Sequence, residues 1–192
     1  MNICVFGAAS DKIDKKYIEK VELLGEMLAK RGHNLVFGAG GSGLMGAAAR
    51  GAHKDGAKIY GVIPHFFREE GVEIIFDKCT ELIFTDTMRE RKAKMEELSD
   101  AFLVVPGGIG TYEEFFEILT LKQLKQHKKP IAVYNFEGYY NDIDVSMKNA
   151  IEKKFIADNC LSLYHFSENM EDIFDYIEND DIPDYDIKEL KL

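Results

Sequence analysis

Residues 104–114, VVPGGIGTYEE, join a short apolar strand to a helix through a glycine turn. Two more turns rich in glycine or other small residues, at 7–10 and 38–46, also follow apolar runs and precede helical patterns. Few architectures satisfy that repetition. A strand that is apolar without alternation is covered on both faces, and parallel neighbours need a helical crossover between them. Open parallel sheets bind ligands beyond the carboxyl ends of their strands, where all three turns would fall.

The pattern predicts strands at 3–6, 34–37, 58–63, 82–84, 101–105 and 130–134. It predicts helices at 14–30, 44–53, 86–98 and 111–124, and a terminal helix at 170–177. A loop is expected over 64–79. The resulting fold class is α/β, a Rossmann-like doubly wound parallel sheet in a single domain. That domain spans 1–179, and 180–192 is expected to be a solvated acidic tail around Asp180, Asp181, Asp184 and Asp186.

Composition narrows the partners. A net charge of −10 and an isoelectric point of about 5.0 argue against a nucleic-acid backbone. A small anion held by local amides and cations remains compatible. The odd number of cysteines, at 4, 79 and 160, lies far apart with no metal-ligand spacing, as expected of free thiols in the cytoplasm. No membrane span, metal or cofactor is expected. The five histidines are scattered, and neither Ser10 nor Ser42 lies in a hydrolase nucleophile elbow.

Three constellations carry chemistry. The run GAGGSGLMG at 38–46 contains Gly40, Gly41 and Gly43 and matches a GxGxxG pattern. The acid that a dinucleotide site wants at the end of the next strand is absent, since that strand ends in Gly61-Val62-Ile63-Pro64-His65. The glycines therefore serve either a mononucleotide or sugar-phosphate site, or tight strand-to-helix packing alone. In MRERK at 88–92, Arg91 and Lys92 fall near an apolar stripe of Met88, Met95 and Leu98. A cation there either pairs structurally with a nearby acid or points into a cleft to hold an anion. Glu114 is likewise open to two readings. It is an acid beside a phosphate-binding helix start, or it closes a capping box with Thr111.

MRERK followed by PGGIGTYEE resembles the MxxRK and PGGxGTxxE signature of the LOG family, the cytokinin-activating 5′-monophosphate phosphoribohydrolases. The resemblance extends through ICVFGAAS, LVFGAGGSGLMG, IYGVIP and KKPIAVYNFEGYY. Ala8-Ala9-Ser10 depart from it, because many relatives are more polar there. The resemblance implies a Rossmann-like homodimer with its site near the interface, acting on a nucleoside 5′-monophosphate without metal or cofactor. Arg91 and Glu114 would be the catalytic pair, with the Arg91 charge keeping Glu114 ionised. Substrate contacts would come from Met88, Lys92, Gly107, Gly108, Ile109, Gly110, Thr111, Tyr112, Glu113 and Thr120. Glu69, Ser10, Gly40, Gly41 and Gly43 complete the expected set. Many relatives carry an older lysine decarboxylase label, for which no lysine here lies in a recognisable pyridoxal-phosphate context. A non-catalytic nucleotide or cofactor carrier is the remaining alternative.

Overall fold

The computed structural model describes residues 1–71, 74–179 and 185–191. The strands are β1 (Asn2–Phe6), β2 (Asn34–Phe37), β3 (Ile59–Pro64), β4 (Glu81–Thr85), β5 (Ala101–Val104), β6 (Ile131–Tyr134) and β7 (His165–Ser167). All pair in parallel, in the order β4-β3-β2-β1-β5-β6-β7. The chain reverses its direction of sheet growth between β1 and β5, which pair from Ile3 with Ala101 to Phe6 with Val104. That junction is the topological switch point, where a crevice opens in such sheets.

Helices cover both faces. They are α1 (Lys15–Lys30), α2 (Gly43–Lys54), α3 (His65–Glu69), α4 (Met88–Leu98), α5 (Ile109–Gln123), α6 (Asn141–Glu152) and α7 (Met170–Glu178). One core buries Val21, Leu24 and Leu28 of α1 with Ile173 and Phe174 of α7 against Ile3, Leu35 and Leu103. The other buries Met95 of α4 and Phe115, Ile118 and Leu119 of α5 against Cys4, Phe6, Phe102 and Val104. The small residues of α2 have a packing reason. A Cβ on Gly51 would stand 2.0 Å from the Glu22 carbonyl oxygen of α1, so the two helices touch backbone to backbone.

Three departures from the sequence reading have physical causes. The expected loop at 64–79 contains α3 and an antiparallel bridge between Gly40 and Ile75. β7 and α6 escape an apolar pattern, since β7 has three half-buried residues and α6 buries none of its side chains. The chain end is not wholly solvated either. Leu190 is buried in the second core, and its carbonyl accepts from Gln123 Nε2 at 2.7 Å. Asp180, Asp181 and Asp184 lie outside the described residues. No helix among the described residues is long and apolar enough to cross a membrane.

Lys122 on α5 is 5% exposed, and its Nζ has no hydrogen-bond partner among the described residues. Burial pushes its amine down to about 8. Between that value and the ordinary 10.5 the unfolded chain binds more protons, so stability rises with pH across the window. Lys122→Met is expected to stabilise the protein by about 1–4 kcal/mol at neutral pH. The benefit should shrink as pH climbs from 8 to 10.5, as read by urea unfolding at several pH values.

Candidate functional site

The β5–α5 connection builds the centre. Val105 and Pro106 leave the sheet, Gly107 is buried, and residues 108–110 are exposed. Gly108 is the N-cap of α5 and supplies no side chain to the first turn. The amides of Ile109, Gly110 and Thr111 meet no protein acceptor among the described residues. Unpaired helix-start amides and the positive end of the helix dipole suit an anion.

The glycines of this turn differ in what they do. None has a positive φ. A Cβ on Gly107 would stand 2.1 Å from Thr111 Oγ1, so the fold itself demands glycine there. At Gly108 and Gly110 a Cβ would meet nothing within 4 Å. Glycine at these two positions leaves open space over the free amides.

The capping reading of Glu114 does not survive. α5 begins at Ile109, so Thr111 lies inside the helix, with its side chain buried under Gly107. The capping box forms one helix earlier, where Glu90 N donates to Thr87 Oγ1 at 3.1 Å and Thr87 N to Glu90 Oε2 at 3.3 Å. Glu114 instead lines a cavity of about 80 Å³ between α4 and α5, with Phe6, Phe102, Ile118, Lys92 and Glu117 among its walls.

The expectation that Arg91 keeps Glu114 ionised is also corrected. Burial among these apolar walls pushes the Glu114 carboxyl up to about 7, and the Arg91 charge opposes that shift without cancelling it. No ion pair joins the two among the described residues. Arg91 is 5% exposed, and main-chain oxygens hold it in place of an acid. Its Nε donates to Val62 O at 3.1 Å and its Nη2 to Gly38 O at 3.3 Å, at the carboxyl ends of β3 and β2. The Phe67 ring covers the guanidinium at 5.7 Å, and Met88 Sδ lies 3.9 Å from Nη1. Three of the five N–H groups thus have partners among the described residues, two main-chain oxygens and the Met88 sulfur.

Gly38 is one of two residues that the motifs do not single out. A Cβ there would fall 1.7 Å from Arg91 Nη2. It opens the 38–46 run, but nothing linear connects it to Arg91. Lys92 is committed to α5, where Glu117 binds Nζ at 2.7 Å and Glu113 binds it as well. Glu117 was not expected in this role, although it lies one turn beyond Glu113 on the same helix.

The other expected residues are divided. Ser10 lines a second cavity of about 370 Å³, together with Gly107, Gly108, Tyr17 and Tyr139. Gly40, Gly41 and Gly43 have structural employment. Gly40 is in the bridge to Ile75, Gly41 N donates to Ile74 O at 2.6 Å, and Gly43 N donates to Asp11 Oδ1 at 2.8 Å. Gly43 also takes a φ of 58°. Glu69 is exposed on α3 and forms no ion pair among the described residues. Tyr112 is half-buried beside Tyr140, with ring centres 6.1 Å apart. Thr120 is exposed, and its hydroxyl donates to Phe116 O at 2.7 Å.

The chain is similar to several known proteins. The family profile described as "Possible lysine decarboxylase" matches residues 45–177. A probable cytokinin riboside 5′-monophosphate phosphoribohydrolase of Oryza sativa subsp. japonica, LOGL5, is 33% identical over 99% of this chain and 76% of its own. The Arabidopsis thaliana enzyme LOG4, named cytokinin riboside 5′-monophosphate phosphoribohydrolase, is 38% identical over 82% of this chain and 72% of its own. Among solved structures, the molybdenum cofactor binding protein of Rippkaea orientalis superposes with a TM-score of 0.66 at 18% identity, covering 92% of this chain and 93% of that one. That last likeness is one of fold. With the paired signatures, the parallel sheet and relatives matched over most of their length, the chain belongs to the LOG family.

Proposed function

We propose that this protein hydrolyses the N-glycosidic bond of a nucleoside 5′-monophosphate, a cytokinin riboside 5′-monophosphate or AMP, to free base and ribose 5-phosphate. One observation carries the reading. A carboxyl group with a pKa of about 7 lies in the second turn of a helix whose first amides are unpaired. The amides of residues 108–111 suit the 5′-phosphate. The Arg91 guanidinium has two N–H groups beyond its three protein partners among the described residues, and these suit the ribose or a phosphate oxygen.

In the reaction, the bond from C1′ to the base breaks with its electron pair leaving on the base, and positive charge develops on the sugar. Ionised Glu114 stabilises that charge and takes a proton from the water that attacks C1′. The product base gains one proton, and water supplies both the hydroxyl and the hydrogen. A pKa near neutrality suits such a base, because its ionised form is populated while its proton affinity stays high.

Assembly as a homodimer with the site near the interface has two supports. Ile109 is 87% exposed, and Met88 on α4 and Phe116 on α5 are partly exposed, which leaves apolar side chains uncovered on both helices that carry the site. Thr120 lies about 16 Å along α5 from Ile109 at the helical rise per residue, too far to share one monophosphate within a protomer. A Thr120 contact would therefore come from a second copy. The three free cysteines fit a reducing compartment such as the cytoplasm.

Incubation with AMP and with the 5′-monophosphate of N6-isopentenyladenosine is expected to release free base from at least one, followed by chromatography. Stoichiometric binding with no base released from either would favour the carrier alternative and end the hydrolase reading.

A further inference from the structure

The turn with the free helix-start amides also contains three carbonyls in a row, and each accepts a hydrogen bond from elsewhere in the fold. Tyr140 Oη donates to Val105 O at 2.8 Å, Ala8 N to Pro106 O at 3.1 Å, and Tyr139 Oη to Gly107 O at 2.8 Å. A carbonyl oxygen offers only lone pairs and repels a phosphate oxygen, whereas an amide N–H attracts it. The direction in which these three point therefore decides whether the turn is an anion site.

Both tyrosines come from the β6–α6 connection, which follows the strand paired with β5. Glu137 and Gly138 adopt left-handed backbone with φ of 52° and 69°, which reverses the chain and delivers the two rings side by side. Asn135 fixes that reversal, because its Oδ1 accepts from Tyr140 N at 2.7 Å and its Nδ2 donates to Asn141 Oδ1 at 2.8 Å. The rings meet edge to face with centres 5.0 Å apart. Burial pushes the Tyr139 hydroxyl up to about 12, so it remains a proton donor at every working pH. Tyr140 is 2% exposed and shifted in the same direction by the same cause.

We propose that Tyr139 and Tyr140 are positioning residues that hold the carbonyls of Gly107 and Val105 away from the ligand, so that the turn offers a 5′-phosphate only amides. This rests on the phosphate-binding role assigned to the turn above. Neither residue needs to touch the substrate. Tyr139 also walls the cavity that contains Ser10, so the clamp and the open side of the turn share one side chain.

The test uses the full chain and two variants, Tyr139→Phe and Tyr140→Phe, which keep the rings and remove only the hydroxyls. Calorimetry with ribose 5-phosphate reads Kd, and AMP hydrolysis reads KM and kcat separately. Losing one of these hydrogen bonds is expected to raise Kd and KM about five- to tenfold, with the loss falling on KM rather than kcat. Tyr139→Phe is the cleaner probe, since Tyr139 is 41% exposed and Tyr140 buried. A merely structural tyrosine would lower Tm or kcat and leave the Kd for ribose 5-phosphate where it was; that result overturns the clamp. If the wild type hydrolyses AMP and both variants bind ribose 5-phosphate as it does, the clamp alone falls. If the wild type binds neither ribose 5-phosphate nor AMP, the phosphate assignment falls and takes the clamp with it.

Discussion

Glu114→Gln is expected to lower kcat for base release by about a hundred- to ten-thousandfold while the fold stays intact. The substitution keeps the volume of the side chain in its cavity and removes only the ability to ionise. The pH dependence gives a sharper check. Glu114 has its pKa raised from 4.5 to about 7, so as a general base it makes wild-type kcat/KM rise with pH and level off above about 7. The variant should lose that limb. Stability moves with a definite sign as well. Between 4.5 and 7 the folded state keeps a proton that the unfolded chain has released, so wild-type stability falls as pH rises through this window. Glu114→Gln should therefore melt higher than the wild type at pH 8, with the difference vanishing near pH 4. Unchanged turnover in the variant would remove Glu114 from the chemistry.

Gly38→Ala should be nearly as damaging, although Gly38 itself need not touch a substrate. The new methyl group would lie 1.7 Å from Nη2 and 2.9 Å from Cζ of Arg91, so the guanidinium has to leave its seat. It would lose the bond to Gly38 O and tilt away from Val62 O. Displacing a positioned cation by an ångström costs on the order of a hundredfold in rate. A stability loss of about 1–3 kcal/mol should accompany it, because buried donors lose their acceptors. Parallel kinetics and thermal melts on Gly38→Ala and Arg91→Lys provide the check. If Gly38→Ala retains full kcat while Arg91→Lys loses it, the carbonyl seat is irrelevant to how Arg91 works.

Much of this molecule is legible in one dimension. β2 is found at its expected residues, and five other strands begin or end within a residue or so of expectation, because each is written as an unbroken apolar run, which even the half-buried β4 keeps in Leu82-Ile83-Phe84. β7 and α6 are not, since three half-buried residues and a helix with no buried side chain leave no such record. The site divides along the same line. MRERK and PGGIGTYEE stand out as motifs, and the two segments do meet, through Lys92 with Glu113 and Glu117. What Arg91 binds was not readable. A cation near an apolar stripe leads one to look for an acid, whereas here two carbonyls from the ends of separate strands accept its protons. Main-chain carbonyls have no letter in a sequence.

The sequence by itself determined the parallel α/β architecture, the place of the glycine turn at the strand ends, and the residue types gathered there. These follow from local periodicity and from glycine spacing, both of which are properties of neighbouring residues. Tertiary structure alone decided the state of Glu114. The sequence offered helix cap or base. The start of α5 at Ile109 removed the cap, and packing among Phe6, Phe102 and Ile118 brought the carboxyl near neutrality. It also decided which glycines serve the fold and which leave room for a ligand. Desolvation and steric exclusion depend on what surrounds a group in space, and those surroundings come from segments far apart along the chain.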